Sequence, residues 1–289
     1  MIAYFDNSAT TKPCPEAVDA VRALLENEWG NPSSVHRLGI QARQALTRAR
    51  GQVAQAMGAE ESRVFFTSGG TEADNWAIFS AAERLGKRGK HIITTAVEHH
   101  AVLHPMQKLA QQGFDVTFLP PDEAGRVSLA QLQAALRPDT ILVSIMLVNN
   151  ETGAVMPIEK MAKLTHRQCP AALFHTDAVQ GLFKVPFQAK TLGADLISVS
   201  GHKIHAIKGS GALYIRPGLT LPPLLLGGGQ EQNYRSGTEA LPAIAALGAA
   251  CAAAYPTRMA DLRHQAALRD KLRQKIAQLP AWQLLGAAE

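Results

Sequence analysis

Ala194-Asp195-Leu196-Ile197-Ser198-Val199-Ser200-Gly201-His202-Lys203 carries an apolar run into a turn of small residues that delivers a lysine. The run has the length and composition of a buried strand. A lysine released at the end of such a strand is costly to keep charged, so it either finds an anion or loses its proton and becomes a nucleophilic amine. An unprotonated lysine forms a Schiff base with an aldehyde. Alone, Gly201-His202-Lys203 reads first as an ordinary surface loop. Two other stretches of the chain weigh against that reading.

Val64-Phe65-Phe66-Thr67-Ser68-Gly69-Gly70-Thr71-Glu72-Ala73-Asp74-Asn75 is an apolar strand, a Ser/Gly/Thr turn and the start of a helical pattern. Free N–H groups at a helix start, with the Ser68 and Thr71 hydroxyls beside them, suit a phosphate, and glycine lets the backbone approach it closely. The same layout also occurs in α/β proteins for packing alone. Phe174-His175-Thr176-Asp177-Ala178-Val179-Gln180 closes a third apolar run on an aspartate. Asp177 is open to two readings: it caps a helix, or it faces the crevice at the strand's carboxyl end and holds a protonated pyridine nitrogen. A lysine for an aldehyde, a helix start for a phosphate and a carboxylate for a ring nitrogen together describe a site for pyridoxal 5'-phosphate.

Short apolar runs alternate with helical patterns at Val64 to Thr67, His91 to Thr95, Val116 to Leu119, Thr140 to Leu147, Leu173 to Asp177, Leu196 to Ser200 and Gly211 to Arg216. This predicts an α/β fold with a mostly parallel seven-stranded sheet and helices on both faces. Glu16 to Glu28 and Ile40 to Met57 read as amphipathic helices, and the Ala-rich Ala243 to Ala254 as a closely packed one. Leu221-Pro222-Pro223-Leu224 through Gly229 reads as a loop, and Leu268, Leu272, Ile276 and Leu279 recur at helical spacing. The expected organisation is an N-terminal arm (1–15), a large cofactor-binding domain (16–255) and the start of a second, smaller domain (256–289) that is largely missing.

These motifs, with Asp6-Asn7-Ser8-Ala9-Thr10-Thr11, Gly30-Asn31-Pro32-Ser33-Ser34, Glu98-His99, Val148-Asn149-Asn150-Glu151 and Arg235-Ser236-Gly237-Thr238, stand in the order found in one family. From Tyr4 to about Arg263 the chain resembles the cysteine desulfurases of the class V aminotransferase group, which have the fold-type I, aspartate-aminotransferase-like architecture. The resemblance implies pyridoxal phosphate as cofactor and L-cysteine as substrate, converted to alanine with transfer of its sulfur for iron–sulfur cluster or thio-cofactor assembly. It makes Lys203 the Schiff-base lysine, Asp177 the acid on the ring nitrogen, Gln180 the partner of the ring hydroxyl and His99 the imidazole that stacks on the ring and moves protons. Gly70, Thr71, Ser200 and His202 match the phosphate site, and Asn150 matches a residue beside the substrate carboxylate. Thr238 matches a residue lent to the other subunit's phosphate, which implies a homodimer. A sulfur-acceptor or iron–sulfur scaffold protein is the further partner implied.

Two departures qualify that expectation. His205-Ala206-Ile207 stands where the family has an aromatic-Gly-Pro turn, and the family's continuation past Glu289 carries the mobile cysteine nucleophile and an arginine that clamps the substrate carboxylate. Cofactor binding is therefore the firmer expectation and sulfur transfer is expected to be impaired; a selenocysteine lyase, another class V lyase and a non-catalytic cofactor-binding or dimerisation remnant are the alternatives. Cys14, Cys169 and Cys251 are few, widely spaced and free of any C-x-x-C, so neither disulfides nor a metal site is expected, and none reads as the nucleophile. The chain is 46 % apolar without a run long enough to span a bilayer and starts without a signal-peptide pattern, which predicts a cytoplasmic protein that does not meet a membrane. Its net charge of +5 is spread out apart from the segment Arg258 to Lys275, which argues against nucleic acid.

Overall fold

The apolar runs pair as β1 (Val64–Thr67), β2 (His91–Thr95), β3 (Asp115–Leu119), β4 (Thr140–Ser144), β5 (Leu173–Asp177), β6 (Leu196–Ser200) and β7 (Gly211–Ile215) in a computed structural model that describes residues 3–280. Their order is β1-β7-β6-β5-β4-β2-β3. β7 runs antiparallel to β1 and β6, and every other pairing is parallel. All strands but the edge strand β3 are buried along their whole length, which follows from cover on both faces.

The two faces sort by the period of two. Phe66, Ile93, Val143, Phe174, Ile197 and Tyr214 join one core, shared with α1 (Pro15–Glu26), α2 (Arg37–Met57), α5 (Leu129–Ala135), α6 (Ile158–Gln168), α7 (Ala189–Leu192) and α8 (Leu241–Ala254). Phe65, Ile92, Leu142, Leu173, Leu196 and Leu213 join the other, beneath α3 (Gly70–Leu85) and α4 (His100–Gln111). The small side chains of α8 let it lie directly on α2: a Cβ on Gly248 would come within 2.7 Å of the Ala49 Cα. Alanine and glycine here serve close approach.

Boundaries shift where local chemistry overrides periodicity. α2 starts three residues before Ile40 because the His36 ring accepts the Gly39 N–H, and it ends on Gly58 in the left-handed conformation at φ 63°. β4 ends at Ser144, yet Ile145 and Leu147 still donate to the His175 and Asp177 carbonyls of β5, which keeps that segment extended as far as the sequence pattern suggests. Leu268, Leu272 and Ile276 do fall on a helix, α9 (Arg258–Ile276), but no residue of it is buried and Leu268 and Leu272 are more than half exposed. Residues 281–289 of the segment expected to open a second domain lie outside the described residues. Among the described residues no helix is long and apolar enough to cross a membrane.

One buried ion pair fixes the segment that leads to Thr238. Arg50 of α2 grips Glu231 with two hydrogen bonds of 2.8 and 2.6 Å and also donates to the Val64 carbonyl, while Glu231 accepts the Phe66 N–H at 2.8 Å. Glu231, Gln232 and Asn233 all have φ between 48° and 68°, a conformation that costs non-glycine residues energy and needs such an anchor. Arg50→Ala leaves the Glu231 carboxylate buried without its counter-ion, and urea unfolding should show a loss of about 3–5 kcal/mol. A loss below ~1 kcal/mol would mean that the pair is no anchor.

Candidate active site

The parallel strands β2, β4, β5 and β6 end on the same rim. From β2 the chain goes out to β3 and returns to β4 on the other side of β2, the kind of switch point where α/β sheets open a crevice. A cavity of about 480 Å³ lies there. It gathers Gly70 and Thr71 from the start of α3, His99 from the turn before α4, Asn150 from beyond β4, Asp177 and Gln180 from the end of β5, and Ser200, His202 and Lys203 from the end of β6. Two residues singled out in the sequence do not line it: Thr238 is exposed on the segment after Gly237, and the Ser68 hydroxyl donates to Glu72 at 2.6 Å instead of joining the anion site.

At one side the site is built for an anion. α3 starts directly from the glycine turn, so its first N–H groups have no carbonyl partner within the helix. A Cβ on Gly70 would meet Val179 Cγ2 at 2.7 Å and Ser200 Cβ at 3.5 Å, so only glycine leaves this cradle open. Ser200 and His202 flank it, and burial, then Lys203, holds the His202 ring below its ordinary pKa.

Asp177 forms the floor. Its Oδ1 accepts the Val179 N–H at 2.8 Å, so the aspartate ties down the following turn, which is not a helix, while it also lines the cavity. Burial, then the neighbouring Asp74, pushes its carboxyl up to about 8. A cation brought against it restores its charge.

Lys203 closes the short turn Gly201–Lys203, whose geometry is set by the Gly201 N–H to Ser210 carbonyl bond at one end and the Ala206 N–H to Gly201 carbonyl bond at the other. Its Nζ donates to the Ser8 and Ala9 carbonyls at 2.6 and 2.8 Å. Burial lowers its pKa, opposed by Asp177 and Asp6. The arm is stitched to this turn through Thr11, which bonds the His202 carbonyl, and through the His205 N–H, which donates to the Thr11 hydroxyl. His205, where the sequence departs from the family, has φ 67° and is held by these bonds and by its ring contact with the Lys12 carbonyl.

His99 accepts the Ala101 N–H on Nδ1 at 3.1 Å, so the neutral ring carries its proton on Nε2. Burial and then Lys203 lower its pKa, which keeps it neutral near pH 7. Gln180 is oriented from both ends: its Nε2 donates to the Ser8 carbonyl at 2.8 Å and its Oε1 accepts from Lys184. Lys184 went unread in the sequence, although it stands four residues after Gln180; burial and then Lys203 lower its pKa to about 8. A wider, more open cavity of about 850 Å³ adjoins the first at Lys203 and carries Lys184, Arg258 and Arg269 on its walls.

None of the three cysteines lines either cavity. Burial is the first cause that raises the pKa of each, most for Cys251, so none is an activated thiolate. Among the described residues no three His, Cys, Asp or Glu side chains gather as a metal ion would require. The donor set fits a phosphorylated pyridine aldehyde: an open glycine cradle for the anion, a buried carboxyl open to the cavity and a lysine of lowered pKa, all on one cavity.

The sequence matches the family model described as aminotransferase class-V over residues 3–289. It is 46 % identical over 283 residues to cysteine desulfurase IscS of Methanosarcina thermophila, covering 98 % of this chain and 70 % of that protein. Cysteine desulfurase 2 of Trichormus variabilis is 47 % identical over 275 residues, 95 % of this chain and 68 % of the relative. Among solved structures, a NifS-like protein superposes with a TM-score of 0.94 at 40 % identity, over 97 % of this chain and 77 % of its own. SspA in complex with cysteine superposes with a TM-score of 0.82 at 37 % identity, over 91 % of this chain and 78 % of its own. The chain is a member of the pyridoxal-phosphate-dependent cysteine desulfurases of the class-V aminotransferase family.

Proposed function

We propose that this cavity holds pyridoxal phosphate on Lys203 and removes the sulfur of L-cysteine, leaving L-alanine. The observation that carries the reading is the convergence of Lys203, Asp177 and the Gly70 cradle on one cavity. When bound, the cofactor supplies an electron sink for the substrate's α-carbon. The N–H groups at the start of α3, with Thr71, Ser200 and His202, hold its phosphate; Asp177 meets its ring nitrogen and Gln180 its ring hydroxyl. Lys203 gives the amine for attachment and afterwards carries protons at the α-carbon, and His99 stacks on the ring with Nε2 as its proton-bearing atom. Asn150, on the rim shared by both cavities, faces the substrate carboxylate.

Substituting Gly70 by valine places branched carbon against Val179 and closes the cradle. Fluorescence titration of the cofactor-free protein should show pyridoxal phosphate affinity reduced about tenfold or more, the worth of one or two charge-assisted bonds. Unchanged affinity would move the phosphate elsewhere.

Cys14, Cys169 and Cys251 lie outside the cavities, and a sulfur-acceptor or iron–sulfur scaffold protein is the further partner in this reading. The exposed Trp29, Val35 and Leu226 and the outward Thr238 suit a homodimer in which Thr238 reaches the neighbouring site. Residues 16–255 form the cofactor-binding domain, and α9 leads toward a second one. Unpaired cysteines suit a reducing, cytoplasmic setting.

The test is product analysis of the cofactor-loaded protein given L-cysteine and dithiothreitol. Alanine and sulfide in equal amounts, with oxidised dithiothreitol balancing the two electrons, is the expected result. Cofactor bound without any alanine would favour a binding protein over an enzyme.

A further inference from the structure

Asp177 is not alone: Asp74 lines the same cavity, and Glu98 is buried close enough to feel both charges. Asp74 of α3 is 1 % exposed, Glu98 in the turn after β2 is 5 % exposed and Asp177 is 6 % exposed. The groups that face them are few: from β2 the Thr95 hydroxyl and from beyond β4 the Met146 N–H on Glu98, from β5 His175 and from β6 Ser198 on Asp74, and the Val179 N–H and, across the cavity, Lys203 on Asp177. Three buried anions beside a single lysine cannot all persist, because each costs several kcal/mol to desolvate and each raises its neighbours.

Geometry says which of them gives up its charge. Glu98 uses only Oε1, which accepts the Thr95 hydroxyl at 2.8 Å and the Met146 N–H at 3.0 Å, while Oε2 is buried without a partner. Asp74 Oδ1 is likewise buried with no hydrogen bond; His175 Nε2 stands 3.5 Å from it, and Ser198 also faces the carboxyl. That contact is no ion pair. His175 is fully buried between the Ser144 hydroxyl, 2.8 Å from Nδ1, and the Ser198 hydroxyl, 3.0 Å from Nε2, and burial drives its pKa down to about 4. An unpartnered oxygen is far cheaper in a neutral acid than in an anion. Burial accordingly raises Asp74 to about 7 and Glu98 to about 8. Asp177 alone combines a backbone donor with an opening onto the cavity and a cation across it.

We infer that Asp74 and Glu98 are kept as neutral acids behind Asp177, and that Asp74, braced by His175 and Ser198, is a positioning residue that leaves Asp177, of these three buried carboxyls, as the one free to ionise toward the cavity. This rests on the reading that Asp177 meets the cofactor's ring nitrogen. The register supports a common purpose: Ser144 pairs with His175, and Asp177 pairs with Ser198, so two neighbouring strand pairs supply the brace.

Infrared difference spectra at pH 6 read protonated carboxyl groups directly, with and without cofactor. In the cofactor-free protein Asp74→Asn, Glu98→Gln and Asp177→Asn should each remove one component of the protonated-acid carbonyl band. After loading with pyridoxal phosphate, Asp177→Asn should no longer remove one, since Asp177 is then ionised, whereas the other two still should. Asp74→Ala should weaken cofactor binding about tenfold and Asp74→Asn restore it to within about threefold, as expected for a neutral hydrogen-bonding group rather than a charge. An unchanged acid band in Asp74→Asn, or no rescue by asparagine, overturns the inference. Should Asp74→Asn fail to fold, Ser198→Ala must shift the Asp74 band, and an unshifted band is equally contrary. Failure of the protein to load cofactor would sink the functional reading instead and leave the cofactor-free spectra to decide the charge states.

Discussion

Lys203→Ala should lose alanine release from L-cysteine by about 10²–10⁴-fold, the range that one positioned proton-transfer group contributes, with the loss of covalent attachment added to it. The reason is geometric. Lys203 lies where the two cavities meet, at the end of a turn closed by Gly201 bonds, and its burial lowers the pKa, which favours the neutral amine. Alanine removes the amine without touching the cradle at Gly70 or the carboxyl of Asp177, so the variant should still bind the phosphate end of the cofactor, more weakly and without the covalent bond. Added methylamine should not restore wild-type rates, because a free amine lacks the effective molarity of one held in place. Turnover within a few-fold of wild type would remove Lys203 from the mechanism.

Asp177→Asn should follow as the next largest loss, about 10²–10³ in alanine release, typical of removing one preorganised electrostatic partner. Asparagine keeps the size of the side chain and can still accept the Val179 N–H, so the turn after β5 should survive and the protein should fold. What it cannot do is pair with a protonated ring nitrogen. Cofactor affinity should fall about tenfold or more, and the absorption spectrum of the bound cofactor should change because the ring nitrogen loses its proton. The pH dependence gives a second check. With Asp177 raised to about 8 against an ordinary value near 4, the cofactor-free fold takes up a proton between those limits, so this residue makes stability fall as pH rises from about 4 to about 8. The asparagine variant should lose that part of the slope. An identical slope would show that Asp177 does not carry the proton.

Lys203, Asp177 and Gly70 are legible in the sequence because each follows an apolar run, and in a parallel sheet those run ends share a rim. The alternation of runs with helical patterns likewise yields the sheet and its two helical layers, since every strand is short and bounded by turn residues. Partners across layers are not legible in the same way. Asp74 stands between Ala73 and Asn75 on a helix, and only the fold brings it to His175 of β5; the available signal is an acid on the helix face that also carries Ala77, Ile78 and Ala81 into the core. The arm is similar: Ser8 and Ala9 meet Lys203 across nearly two hundred residues through backbone carbonyls, which carry no mark in the sequence. α9 shows the reverse case, a correct helical period whose leucines remain exposed, because period reports which face a helix can bury and not what lies against it.

Attachment of the cofactor at Lys203 is the claim on which the rest depends, and Lys184 is its natural rival. Burial and then Lys203 lower the Lys184 pKa to about 8, and Lys184 borders the adjoining cavity. Its amine, however, is committed to Gln180, and it lines the cavity away from the Gly70 cradle. The protein should be loaded with pyridoxal phosphate, reduced with borohydride, digested and mapped by mass spectrometry. A reduced cofactor adduct on Lys203 alone is the predicted result; an adduct on Lys184 or any other lysine, with Lys203 unmodified, would contradict the account.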